Sequence, residues 1–190
     1  ESNLQVFLNE GNDLFVQNLL ISGASRSITI GDYDEDGDLD FYNSGGGSSR
    51  GLYKNIISNG NNWIQFILKG TVTNPDALGT KIKLKAMING NPVRMIREIN
   101  AQNTFNGQNM FRVHFGLGNA VSIDSVAIEW TSGESQILTN VTTNQILSIE
   151  EEIPAGFLRC NFSADSINGN YPLSVSFADL SLSDTNSTIT

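Results

Sequence analysis

Short runs that alternate apolar and polar positions recur along this chain, each closed by Gly, Asn or Ser. Such two-residue periodicity, carried by β-branched and aromatic side chains, predicts strands. They fall at 4–8, 13–17, 26–30, 39–43, 52–55, 63–69, 80–88, 92–99, 111–115, 125–130, 137–138 and 145–149, with two more at 157–164 and 172–178. No stretch holds a 3.6-residue period for ten residues, so the expected class is all-β. Phe115-Gly116-Leu117-Gly118 lacks the spacing of a dinucleotide loop and reads as a turn. Asn9 and Asn55, 46 residues apart, close similar runs. That spacing suits a propeller-type repeat; the lesser alternative is two hairpins that both end in Asn-Gly turns.

Composition narrows the function classes. The 190 residues are 39% hydrophobic and 16% charged, enough to fold around a core. The formal charge of −9 has the wrong sign for general nucleic-acid binding, and no apolar run is long enough to span a membrane. One cysteine, Cys160, and one histidine, His114, leave little room for thiol or His-based catalysis. His114 is expected to be an ordinary half-buried imidazole, and Cys160 a small core residue of the tail. A composition break at Glu150-Glu151-Glu152-Ile153-Pro154 suggests a linker. The expected organisation is a repeat region over 1–60, a β domain over 61–152, and a linker with a truncated module over 153–190. The last is too short to bury a core alone, so the chain reads as part of a larger multidomain protein.

The acidity is local. Asp32, Asp34, Glu35, Asp36, Asp38 and Asp40 place six acids within nine residues. Carboxylates stand at loop positions 1, 3, 5 and 9, with Gly37 at position 6 for a sharp turn. A hard cation takes six to eight oxygens at about 2.3–2.6 Å, which alternate side chains of a tight loop supply. The expected metal ligands are Asp32, Asp34, Asp36 and Asp40 through carboxylates and Asp38 through its carbonyl. Glu35 should face solvent, and Leu39 and Phe41 should anchor the exit strand. Calcium fits this set better than magnesium, which retains more water. Position 12 is Asn43 and the flanks are strand-like, so the ion should clip a β-hairpin rather than an EF-hand.

The segment from Ile28 to Asp40 resembles an FG-GAP/VCBS-type repeat, the calcium-bearing unit of integrin-like β-propellers. That resemblance implies a propeller blade with Ca²⁺ held by the same aspartates. Residues from about Asn62 to Glu150 resemble the ASPIC/UnbV domain, through Asn74, Ala77-Leu78-Gly79, Phe105, Gln108-Asn109, Phe115 to Gly118, Trp130, Ser132-Gly133 and Ile149-Glu150. Pro75 and Thr131 depart from the usual pattern. The tail resembles the start of a PKD domain, through Phe162, Ala164, Gly169, Pro172-Leu173, Val175, Phe177, Asp179 and Ser181. The implied architecture is a propeller-type piece with a calcium hairpin, a β-sandwich-like domain and a truncated immunoglobulin-like module. All three resemblances imply an extracellular setting, secreted or on the cell surface.

Two further features suggest ligand contact. Lys81, Lys83 and Lys85 share one strand face, which Arg94 and Arg97 would extend; this suits an acidic polysaccharide, or is simply a solvated face or a Lys-protected edge. Trp130 ends a strand beside polar residues and offers a sugar-stacking platform, whereas Trp63 suits a core role. Asn140, Asn161 and Asn186 begin glycosylation sequons. No carboxylate pair or Ser-His-Asp set has a local signature, so the chain is expected not to be an enzyme. The expected function is a non-catalytic, calcium-binding module for adhesion or recognition of glycans or surface proteins. The alternative is an accessory region, carbohydrate-binding or spacer, of an extracellular polysaccharide-processing enzyme.

Overall fold

The computed structural model describes residues 3–11, 14–21, 26–45, 50–57, 60–155, 158–159, 162–165, 168–169 and 174–183. Among them every regular element is a strand, as the alternating pattern predicts. β1 (Leu4–Gly11) and β2 (Leu14–Ile21) pair antiparallel as an isolated two-stranded sheet. β3 (Ile28–Gly31), β4 (Asp40–Asn43) and β5 (Gly51–Tyr53) form a three-stranded antiparallel sheet, with Phe41 stacked on Tyr53 at 4.9 Å. The expected propeller does not appear: the described residues contain neither a closed sheet nor a set of blades. The Asn9/Asn55 similarity is not matched by equivalent pairing, because β1 pairs with the strand after it and β5 with the strand before it.

The largest unit has two sheets around one core. A four-stranded sheet runs β11-β10-β7-β8, from β7 (Lys81–Ile88), β8 (Asn91–Glu98), β10 (Ser122–Glu129) and β11 (Ser135–Thr142). A three-stranded sheet runs β12-β6-β9, from β6 (Asn62–Lys69), β9 (Val113–Gly118) and β12 (Gln145–Glu150), with β12 parallel to β6. Ile64, Phe66 and Leu68 of β6 and Val113, Phe115 and Leu117 of β9 share a cluster with Ile82, Leu84 and Ala86 of β7 and Val126 and Ile128 of β10. Their alternation makes one face of each sheet apolar, and burying two such faces together is the main stabilising term. Phe66 and Phe115 meet edge to face at 6.0 Å within it. Phe115 to Gly118 is therefore the end of a core strand and not the expected turn, with Leu117 fully buried.

Glu151 closes this unit. The carboxylate is 2% exposed, and its Oε2 accepts from the backbone N–H groups of Thr71, Val72 and Thr73 and from the Thr73 hydroxyl at 2.8–3.0 Å. Ser132 donates to Oε1 at 2.6 Å. Burial pushes the Glu151 pKa up, but the donors from Ser132, Thr73 and Val72 outweigh it and hold it below the ordinary value. The acidic run that reads as a linker thus contains a structural anion.

In the tail, β13 (Leu158–Arg159) pairs with β16 (Leu182–Ser183), and β14 (Phe162–Ala164) with β15 (Phe177–Asp179). These two short pairs do not amount to an immunoglobulin-like sheet. Cys160, Asn161, Pro172, Leu173 and Asn186 lie outside the described residues.

Candidate metal centre

The acidic loop spans the turn from β3 to β4. Gly31 faces Asp40 at the last rung of that hairpin, which brings Asp32 and Asp40 to its mouth. Glu35 (φ 61°) and Gly37 (φ 94°) take left-handed backbone conformations that fold the loop back on itself. Hydrogen bonds inside the loop hold the shape: Gly37 N–H donates to Asp32 Oδ2 at 3.0 Å, Asp38 N–H to Asp36 Oδ1 at 3.0 Å and Tyr33 N–H to Asp40 Oδ2 at 3.2 Å.

Asp32, Asp34 and Asp40 each offer a carboxylate oxygen, and these three atoms lie within 4.8 Å of one another. Two oxygens bound to one calcium ion lie at most about 5 Å apart, so the spacing suits a shared cation. Asp32 is 2% exposed and Asp40 1%, while Asp34 stands at the open rim. Asp40 is fully engaged, since Asn55 N–H donates to its Oδ1 at 2.7 Å. Asp32 is not. Its Oδ2 accepts from Gly37 N–H and from Gln65 Nε2 at 2.5 Å, yet Oδ1 is buried without a hydrogen-bond partner. A buried carboxylate oxygen with no donor is costly, and a cation removes that cost. The residues present fit a hard divalent ion.

The cluster is narrower than the spacing suggests. Asp36 lies outside it: Oδ1 holds Asp38 N–H and Oδ2 is 3.3 Å from the Lys54 ammonium. Its pKa is lowered, first by the Asp38 N–H and then by Lys54. The Asp38 carboxylate also lies outside, and its pKa is raised by burial and by the Asp36 charge. Lys54, just after β5, pairs with Asp34 as well, and these hydrogen bonds raise its own pKa. Glu35 points away from the cluster as expected, but it is held by Arg112 at 2.7 Å. Leu39 is 39% exposed and does not anchor the strand; Phe41 on Tyr53 does so.

The outer face of the β12-β6-β9 sheet covers the loop. Along β6, Ile64 and Phe66 face the core, so Gln65 and Trp63 face outward; Gln65 is nevertheless fully buried, because Asp32 lies on it. Gln65 and His114 are direct partners across β6 and β9. His114 Nε2 donates to the Gly37 carbonyl at 2.9 Å. Burial lowers the His114 pKa and so favours the neutral ring, against an opposing push from that carbonyl. Arg112 donates to the Asp32 carbonyl at 2.6 Å. A Cβ on Gly37 would overlap the Trp63 indole, so glycine serves contact as well as turn. Met110 N–H donates to the Ile30 carbonyl at 3.2 Å, and Ile30 N–H donates to Asn109 Oδ1 at 2.9 Å.

Gln65, Arg112 and Lys54 have no signal in the acidic motif itself. A polar residue inside the apolar run of β6 is the one clue that Gln65 has a buried partner.

The expected ligand contacts fare differently. Trp130 is 4% exposed within the core and presents no face to a sugar; Trp63 is the indole outside it. β7 is an inner strand, not a Lys-protected edge. Lys83 is paired with Glu129 at 2.5 Å and Lys81 approaches Glu98 at 3.9 Å. Lys85 faces Arg94 across the ladder, and no carboxylate pairs with either among the described residues. With Ser125 and Ala127 they line a shallow depression of about 450 Å³. Arg97 leaves this patch and sits 5.4 Å over the Phe115 ring.

Residues 70–155 match the family model for ASPIC and UnbV. The matched range holds β7 to β12 and the Glu151 anchor, while β6, which completes the smaller sheet, lies just before it. No curated protein matches the chain.

Proposed function

We propose that this chain is a non-catalytic, calcium-binding β module that serves adhesion or recognition outside the cell, within a larger multidomain protein. The observation that carries the calcium reading is the buried Asp32 Oδ1 without a partner, beside oxygens of Asp34 and Asp40. Asp32, Asp34 and Asp40 would hold the ion, with the Asp38 carbonyl as a further oxygen. The Lys54 ammonium contacts both Asp34 and Asp36, and it would give way to the ion as Asp34 binds. When bound, the ion supplies charge neutralisation and a cross-link between the ends of the loop. Likeness of the hairpin to FG-GAP/VCBS units and of the tail to a PKD start supports the extracellular setting. Sites of this class commonly bind calcium at about 10⁻⁴–10⁻³ M, a range met outside cells. Calorimetric titration with calcium tests the reading: the parent chain should release or absorb heat at sub-millimolar to millimolar ion, and Asp34→Ala should not. Equal binding by both would remove the assignment.

The accessory role in a polysaccharide-processing protein draws on a separate observation, the uncompensated Lys85–Arg94 pair. Two cations directly opposite on a ladder disfavour the free sheet, and an anionic sugar carboxylate would relieve them.

A further inference from the structure

A metal-ligating carboxylate needs its second oxygen held if the first is to stay aimed at the ion. In Asp32 that holding is done by two donors, and one of them belongs to the neighbouring domain. Gly37 N–H comes from the loop, but Gln65 Nε2 comes from the middle of β6. Gln65 is fully buried, and its own Oε1 has no hydrogen-bond partner. The two buried acceptors left open here, Asp32 Oδ1 and Gln65 Oε1, therefore belong to one hydrogen-bonded pair that crosses from hairpin to sheet. Arg112 fixes the Asp32 carbonyl, His114 fixes the Gly37 carbonyl, and Met110 extends a backbone bond to Ile30. All of these contacts come from one face, the outer side of β6 and β9 with the chain just before β9.

From this arrangement we infer that Gln65 is a positioning residue for the metal centre, and that ion binding and docking of the acidic hairpin on the ASPIC/UnbV sheet are one coupled equilibrium. The ion fixes Asp32, which seats the loop on Gln65; the seated sheet holds Asp32 Oδ2, which leaves Oδ1 for the ion. By linkage the factor by which docking raises ion affinity equals the factor by which the ion favours docking. The calcium loop is then an interdomain clamp as well as a hairpin clip. This inference rests on the calcium reading above.

Gln65→Met keeps the volume of the buried side chain and removes the donor. Calcium titrated into the intact chain should bind Gln65→Met about tenfold more weakly than the parent, the scale seen for outer-shell partners of metal ligands. Hydrogen exchange on the parent supplies a second readout that needs no variant. The Ile30 and Met110 amides, which bridge hairpin and sheet, should slow when calcium is added. Arg112→Gln should weaken calcium binding in the same direction should Gln65→Met fail to fold. A merely structural Gln65 would lower the melting temperature equally in calcium and in EDTA and leave the calcium affinity unchanged. That result, or bridging amides indifferent to saturating calcium, overturns the clamp while the parent's own calcium binding stands. No binding by the parent would overturn the calcium reading itself.

Discussion

Two buried carboxylates in this chain have opposite surroundings. Glu151 receives three backbone N–H groups and two hydroxyls, all from its own domain. Asp32 has one oxygen doubly held and the other with no partner. Both are 2% exposed, so burial alone does not separate them. The donor count does. A carboxylate whose acceptors are satisfied internally is part of the fold, whereas one left open beside other acidic oxygens, with the Gln65 Oε1 next to it also open, is shaped for something added.

The contrast breaks most visibly at Glu151. Glu151→Gln removes the charge from a nest built for it and should cost about 3 kcal/mol. For a chain of this size that is a fall in melting temperature of about 6–12 °C, the same in calcium as in EDTA. The Glu151 pKa is lowered in the fold from an ordinary value of 4.5. Its contribution is therefore fully present above pH 4.5 and lost as pH falls through the lower folded value. The gap between parent and Glu151→Gln should be constant from pH 7 to about 5 and close on further acidification, which thermal melts across that range would show.

A smaller and conditional effect is expected at the acidic loop. At ten times Kd, calcium should stabilise the parent by about 1.4 kcal/mol, a rise of about 3–5 °C. Asp34→Ala should abolish that rise, with the variant's melts overlaying in calcium and EDTA.

Cations repeat the contrast at the lowest magnitude. Lys83 has Glu129, whereas Lys85 faces Arg94. Lys85→Ser should change stability by less than about 0.5 kcal/mol yet weaken retention on an immobilised polyuronate. Lys83→Ser, if it weakens retention more, would shift the anion contact away from the open pair.

The strand pattern is legible because alternation on a half-buried sheet is a local property: β6, β7, β8, β10 and β12 lie where the runs at 63–69, 80–88, 92–99, 125–130 and 145–149 place them to within a few end residues, whereas β9 continues through the expected turn and β11 is eight residues long around a two-residue run. The acidic loop was legible for the same reason, since its positions are set by one turn. What spacing does not carry is which acids meet. Lys54 reaches Asp34 and Asp36 from 20 and 18 residues later, and Asp32 is held by Gln65, 33 residues later. Glu151 reads as linker in sequence because a solvated acid and a nested one are the same letter, and four of its five donors lie about 80 residues earlier. The burial of Trp130 is not legible in sequence, because a strand-end aromatic beside Ser and Gly is placed inside or outside only by the opposite sheet.

The most direct measurement is anomalous X-ray scattering from crystals of the chain grown with calcium. A peak within about 2.3–2.6 Å of Asp32 Oδ1, shared with Asp34 and Asp40, is the predicted result, and Gln65 should remain on Asp32 Oδ2. A calcium peak elsewhere, or none at saturating calcium with Lys54 still on Asp34, would contradict the claim that the open oxygen marks a metal site.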